Sequence, residues 1–167
     1  MNDVNETTID ILLRADLVIR APIAWRQRDA TDRRVRLHLP VANSLGEPLR
    51  LHAHIPIRIR WQYSMALVWR KVPIRRLDVR GSHVNQCDGS GERWRRETHK
   101  HRWRDAYRDA WAYTPDDIPD TSTIDVDQDE YRRVFEAFCG ECKIRIETPW
   151  VAPDFDGPFQ DTMGGTS

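Results

Sequence analysis

The chain has 167 residues, 40% of them apolar and 31% charged, with a formal net charge of 0. That length supports one hydrophobic core and excludes two large independent domains. No window approaches the roughly 18 apolar residues that cross a bilayer and no basic-then-apolar leader opens the chain, so a cytoplasmic protein away from membranes is expected.

The zero net charge conceals a division. From Arg14 to Arg108 there are 22 Lys and Arg against 9 Asp and Glu, whereas from Asp109 to Ser167 there are 4 against 14. A basic body attracts polyanions through counterion release, and an acidic segment competes with them or pairs with the body itself. Cys is used sparingly: three residues, an odd number, make no disulfide framework. Cys139 and Cys142 are the one close pair, and near a predicted helix end they read as reduced thiols ahead of a zinc or redox pair.

In chain order, Ile9, Leu12, Leu13 and Leu17 recur at helical intervals, predicting a short helix within Thr7 to Ile19 with Thr7 or Thr8 as its cap. Pro22 marks a break. Val35, Leu37, Leu39 and Val41 then alternate with Arg34, Arg36 and His38, and after the turn signal Asn43-Ser44 with Gly46, Leu49 to Ile59 alternates with Arg50, His52, His54, Arg58 and Arg60. Side chains two apart in a strand project from one side, so the pair reads as a long hairpin with an apolar face and a cationic face. Trp61 to Trp69 and Val72 to Val79 continue the sheet, and Gly81 to Gly91 reads as a polar loop. Glu97 to Trp103 and Asp109 to Thr114 are two shorter strands. Asp125 or Asp127 caps a helix bearing Tyr131, Val134, Phe135 and Phe138, ended by Gly140; Lys143 to Ile146 returns as a strand. The expected fold is α+β, a curved antiparallel sheet of about five to seven strands with an N-terminal helix and a C-terminal helix. It forms a single domain over 1–148 with a flexible tail over 149–167.

His99 and His101 lie two apart and share one side of a strand, with His83, Asn85 and Asp88 in the preceding loop. Two imidazoles on one surface suit general base and general acid for RNA cleavage, in which a 2′-hydroxyl attacks the adjacent phosphate. His99, His101, His83 and Asp88 are therefore the candidate catalytic residues, with Arg96 and Arg102 placed to hold phosphorane charge. The same imidazoles suit a transition metal, and His-x-His also occurs as a structural or surface pair. Arg34, Arg36, Arg50, Arg58 and Arg60, with Arg96 and Arg102, are the candidate nucleic-acid-binding set. Asp78, beside Arg76, reads as an ion-pair partner or as a carboxylate that orients a His across the sheet. Tyr107, Asp109, Trp111 and Tyr113 fall on one parity, either as stacking aromatics or as core.

Four motifs carry a resemblance: Arg76-Leu77-Asp78, His83-Val84-Asn85-Gln86-Cys87-Asp88-Gly89, His99-Lys100-His101 and Tyr107-Arg108-Asp109-Ala110-Trp111-Ala112. In this order, over roughly residues 50 to 142, they resemble an uncharacterised family of small bacterial and phage-borne proteins classed as a domain of unknown function. The resemblance implies a mobile-element or defence setting and no mechanism. The leading expectation is an RNA-directed protein, of the toxin-type endoribonuclease class and needing no metal or other cofactor. The rivals are a non-catalytic module binding RNA, DNA or an acidic protein partner through its basic face, and a homo-oligomer in which the acidic segment docks on a neighbouring copy.

Overall fold

A computed structural model describes residues 4–27, 31, 33–118 and 126–155 of the chain. Helix α1 spans Glu6–Leu12; its cap is Asn5, whose side chain accepts from the Thr8 amide at 2.8 Å. It is shorter than the sequence pattern suggests because Asp16, at φ 49°, turns the chain into strand β1, Leu17–Ile19. All three β1 residues are buried, and a continuous apolar run fits a strand covered on both faces as readily as a helix. β1 pairs in parallel with β8, Ile144–Ile146, joining the two ends of the described chain.

The main sheet has six antiparallel strands in the order β2-β3-β4-β5-β6-β7: Arg34–Val41, Leu49–Pro56, Tyr63–Trp69, Val72–Val84, Arg93–Arg102 and Ala112–Tyr113. It is not closed, so the expected α+β architecture with a curved sheet is the one observed. Sequential strands are neighbours, as tight connections require. Between β4 and β5 the two turn residues Arg70 and Lys71 both take positive φ, 49° and 71°, the backbone that a two-residue hairpin needs. One parity of the sheet, including Leu37, Leu51, Ile55, Met65, Leu67, Trp69 and Leu77, is buried in the core. Helix α2, Gln128–Glu141, covers that face with Tyr131, Val134, Phe135 and Phe138. Its cap is Asp127. Gly140 lies within its last turn, and Cys142 is its C-cap; Cys139 and Cys142 are fully buried there, where burial pushes both thiols up.

Two predicted elements change character. The segment read as a polar loop begins as strand, since β5 runs on through Val84 before the turn near Asp88. The strand read over Asp109 to Thr114 shrinks to Ala112–Tyr113, and Arg104 to Arg108 forms a tight bridge before it. Residues 149–155, assigned by the sequence to the tail, rest on the core: Trp150 lies against Phe135 (ring centroids 5.2 Å) and Trp25 (6.1 Å), and Pro153 is buried. Residues 156–167 and the acidic stretch 119–125 lie outside the described residues. Among the described residues no helix is long and apolar enough to cross a membrane.

Between β5 and β6 the register slips twice. Asp78 faces His99 and Gly81 faces Glu97, so β5 carries one extra residue; Gly81 faces Glu97 and Ser82 faces Arg95, so β6 then carries one. In these two bulges Arg80 and Arg96 take φ 50° and 59°, a left-handed backbone that costs a bulky residue of order 1 kcal/mol or more. The cost is offset at Arg80. The bulge delivers its guanidinium to the helix side, where Nη1 and Nη2 donate to Glu130 Oε1 and Oε2, both at 3.0 Å, and Nη1 donates to the Trp61 carbonyl at 2.8 Å. Tyr63 donates its hydroxyl to Glu130 Oε1 at 2.9 Å. Arg80 and Glu130 are 4% exposed, so removing one partner leaves a buried charge. Arg80→Ala is expected to cost about 3–5 kcal/mol of folding stability, read from urea unfolding, whereas an exposed pair such as Arg132→Ala beside Glu136 should shift it by less than about 1 kcal/mol.

Candidate functional site

The parity opposite the core carries polar side chains in two rows that cross the sheet. Arg36, His54, Ser64, Asp78 and His99 are successive register partners from β2 to β6, as are His38, His52, Ala66, Arg76 and His101. Residues directly opposite in paired strands share a face, so the hairpin's basic face and the His-x-His pair belong to one surface. On β4 that surface carries Ser64, Ala66 and Val68, and the first two are small enough to leave a trough between a wall from β2–β3 and a wall from β5–β6. A cleft of about 250 Å³ opens there, lined among others by Arg34, His54, Ser64, Asp78, Gly81 and Ser82.

The first wall holds His38, His52 and His54. His38 lies against His52 with ring centroids 4.3 Å apart and planes tilted by 33°, and is 5.9 Å from His54. Desolvation comes first and the charges of Arg36, Arg50 and Arg34 add to it, holding all three imidazoles below their ordinary value and bringing His54 down to about 4. Three neutral imidazoles are therefore set among guanidinium groups at pH 7.

The second wall holds His83, His99 and His101. Their ring centroids are 4.6 to 5.7 Å apart, and one donor atom from each lies within 4.8 Å of those of the other two. Each ring commits one nitrogen to a backbone carbonyl, which fixes where its N–H sits. His99 Nδ1 donates to Glu97 O and His101 Nδ1 to Asp109 O, both at 3.0 Å; His83 Nε2 donates to Ala110 O at 3.0 Å and to Asn85 Oδ1 at 3.2 Å. Asn85, fully buried, ties this corner to β7 by exchanging two 2.9 Å bonds with Ala112. The Nε2 atoms of His99 and His101 face Asp78 Oδ2 at 3.5 and 3.2 Å. Arg76 completes the group: its Nε donates to Asp78 Oδ2 at 3.0 Å and its Nη2 to His101 Nε2 at 2.6 Å. Burial pushes the Asp78 carboxyl up, but hydrogen bonds from His101 and His99 and the charge of Arg76 outweigh it and hold the group well below the carboxylate range. Burial, aided by Arg76 and opposed by Asp78, leaves His101 below its ordinary value. Gly81 has to be glycine for this packing, because a Cβ there would lie 2.9 Å from His99 Cε1 and 3.0 Å from Asp78 Cβ.

Of the candidate catalytic residues, the structure brings His83, His99 and His101 together and leaves Asp88 apart. Asp88 accepts from the amide and hydroxyl of Ser90 and from Trp111 Nε1, and Asp78 is the carboxylate that meets the imidazoles. Both readings of Asp78 hold at once, since it pairs with Arg76 and also faces the His rings. His99 and His101 are 1% exposed, so they reach the trough through Asp78. Of the candidate binding residues, Arg34, Arg36 and Arg50 line the polar face and Arg76 joins them. β3 ends at Pro56, so Arg58 and Arg60 fall in the following turn, where Arg60 lies over the Phe155 ring at 4.2 Å. Arg96 is the β6 bulge residue, turned toward Trp61. Arg102 shares the parity of Lys100, on the helix-bearing side. There Lys100 is clamped by Asp117 (2.6 Å) and Glu141 (3.3 Å). Trp111 and Tyr113 stack on each other, 5.4 Å between centroids and 22° between planes.

Residues 50–144 match the model of a family of unknown function, DUF6978. That span includes Asp78, Arg76 and all three histidines of the second wall, and excludes β2. Comparison with curated proteins and with solved structures gives no match.

The first wall has a measurable consequence. An unfolded His titrates near about 6.5, and these three titrate lower when folded. Between those values the unfolded chain binds more protons, so stability must fall as pH drops from about 6.5 toward about 4, where folded His54 itself takes a proton. His54→Gln should flatten that fall, measured as urea midpoints between about pH 4.5 and 7.

Proposed function

We propose that this chain, which belongs to the DUF6978 family of unknown function, is a nucleic-acid-binding protein that holds the phosphodiester backbone of single-stranded RNA across the polar face of its sheet. The observation that carries the reading is the pair of cross-strand rows, which gather Arg36, Arg76, His38, His52 and His54 on one surface around a trough floored by Ser64. Arg34 and Arg50, exposed at the ends of the same strands, extend it. Guanidinium groups pair with phosphate through parallel N–H bonds, and an open trough between small residues admits a single strand more readily than a duplex. The imidazoles add a reserve. Each is held neutral partly by neighbouring arginines, and a phosphate that neutralises those arginines raises its proton affinity, so binding takes up protons.

Cleavage of the bound strand is the second reading, favoured because His54 and Asp78 line the same cleft. A neutral His54 accepts the proton of a ribose 2′-hydroxyl whose oxygen attacks the adjacent phosphorus, and the imidazolium so formed returns that proton to the departing 5′-oxygen. Arg34 and Arg76 would meet the phosphorane charge, and Asp78, braced by His99 and His101, would keep Arg76 in place.

Fluorescence anisotropy with a labelled single-stranded RNA tests both in one set of samples. Binding should weaken as salt rises. Arg36→Ala with Arg50→Ala should lower affinity by about tenfold or more and reduce the salt slope by about 1 for each arginine removed. Arg102→Ala, on the opposite side of the sheet, should leave binding unchanged. Affinity should rise as pH falls from about 7 to 5. A salt slope insensitive to the Arg36 and Arg50 changes would overturn the reading; intact RNA recovered from bound samples would leave binding standing and remove cleavage.

A further inference from the structure

The second wall holds more histidine than a phosphate-binding face needs, and its arrangement has a chemistry of its own. We infer that His83, His99 and His101 form a binding site for one divalent transition-metal ion of the zinc type. Three observations carry it. First, among the described residues this is the one group of three or more His, Cys, Asp or Glu side chains whose donor atoms all lie within 4.8 Å of one another. Second, each of the three rings spends one nitrogen on a backbone carbonyl, Glu97, Asp109 or Ala110, which leaves the other nitrogen as the atom that ligates once it carries no proton. A carbonyl that accepts the far N–H is the usual support of a metal-bound imidazole, because it fixes the tautomer and the plane of the ring. Third, an anion stands beside them: the Asp78 carboxylate, 3.5 and 3.2 Å from the Nε2 atoms of His99 and His101.

Zinc binds imidazole nitrogen at about 2.0–2.1 Å, which brings the donors of a tetrahedral site to within about 3.4 Å of one another. The donors need to close by up to about 1.4 Å from a present separation of at most 4.8 Å, a side-chain pivot that His83, half-buried at the end of β5, can make. Three imidazoles and no thiolate suit zinc, cobalt, nickel or copper over magnesium or calcium. Cys139 and Cys142 are buried beside α2 on the opposite face and take no part.

In this structure His101 Nε2 is already engaged, by Arg76 Nη2 at 2.6 Å and by Asp78 Oδ2 at 3.2 Å. Arg76 and the ion therefore compete for the same nitrogen and the same carboxylate. The Arg76 side chain is 31% exposed and can swing toward the trough, so metal loading would release a guanidinium onto the polar face. That competition makes a prediction of unusual sign: removing a positively charged residue that ligates nothing tightens metal binding.

The test uses the full chain stripped with a chelator and titrated with cobalt(II) in the absence of RNA, so its outcome is separate from that of the nucleic-acid reading. One equivalent should bind, with the intense visible absorption of a four- or five-coordinate cobalt ion, and one equivalent of zinc should bleach it. His83→Ala, at the half-buried position, should weaken binding at least tenfold while circular dichroism confirms the fold. Arg76→Ala should strengthen it by about tenfold. His52→Ala and the double change Cys139→Ala with Cys142→Ala should leave the stoichiometry at one. Undiminished cobalt absorption in His83→Ala, its loss in the cysteine variant, or weaker binding in Arg76→Ala would each overturn the assignment.

Discussion

The bulge at Arg80 governs the arrangement of everything around it. A left-handed arginine on a central strand is unfavourable in isolation, and it is held by the bidentate bond to Glu130 at the first turn of α2. Through that ion pair the first turn of the helix is tied to the sheet, and Tyr63 is fixed by the same carboxylate. The extra residue also resets what lies beyond it. Gly81 follows immediately, and with no Cβ it lets the His99 ring lie against β5 beside Asp78. The compensating bulge at Arg96 restores the register in time for His83 to fall opposite Trp94 and reach the same corner. The packing of α2 thus follows from the first slip in the ladder, and the convergence of three histidines from the two slips together.

Pairing of this kind accounts for three carboxylates of the acidic half, while a fourth, Asp109, lies 3.8 Å from Arg76 on the polar face. Charge division along the sequence suggested an acidic segment able to mask the basic face, or one that pairs with the body. The described carboxylates Glu130, Asp117 and Glu141 are engaged with Arg80, Lys100 and Arg75 on the helix-bearing side of the sheet. They neutralise cations that the alternation sends toward the core, where an unpaired charge is costly. The cations of the polar face, Arg34 and Arg50 among them, are not their targets. Much of the basic excess left after this internal pairing therefore lies on the side where a polyanion can reach it.

What alternation encodes was legible in the sequence. Period-two patterning located β2 residue for residue, placed Leu49 as the start of β3, and put His99 and His101 on the side away from Lys100. An aspartate cap, Asp125 or Asp127, followed from a carboxylate's ability to accept an amide ahead of an amphipathic run, and Asp127 is the one that caps. Interactions that depend on partners far along the chain were not legible. Nothing local marks Leu17–Ile19 as a strand until Ile144–Ile146 lies beside it. Nothing in an Arg-Gly step distinguishes a strand bulge from the opening of a loop, so the sequence pattern ends β5 at Val79 and groups Asp88 with the histidines alongside Asp78. Pro56 was the missed local signal, since it ended the strand before Arg58 and Arg60.

The polar face combines two groups of imidazoles with opposite surroundings. Around His38, His52 and His54 the neighbouring charges are guanidinium groups, which favour the neutral ring and welcome an anion. Around His99 and His101 a carboxylate stands at contact distance, and the rings are anchored from behind by carbonyls. An anion entering the trough is drawn toward the first wall and repelled by Asp78 on the second, while a cation experiences the reverse. Arg76 sits between them, paired with Asp78 and within one side-chain swing of the trough. On the proposed reading, a ligand that neutralised Asp78 would leave Arg76 only its longer contact with Asp109, 3.8 Å, so the second wall would set how much positive charge the first wall has beside it.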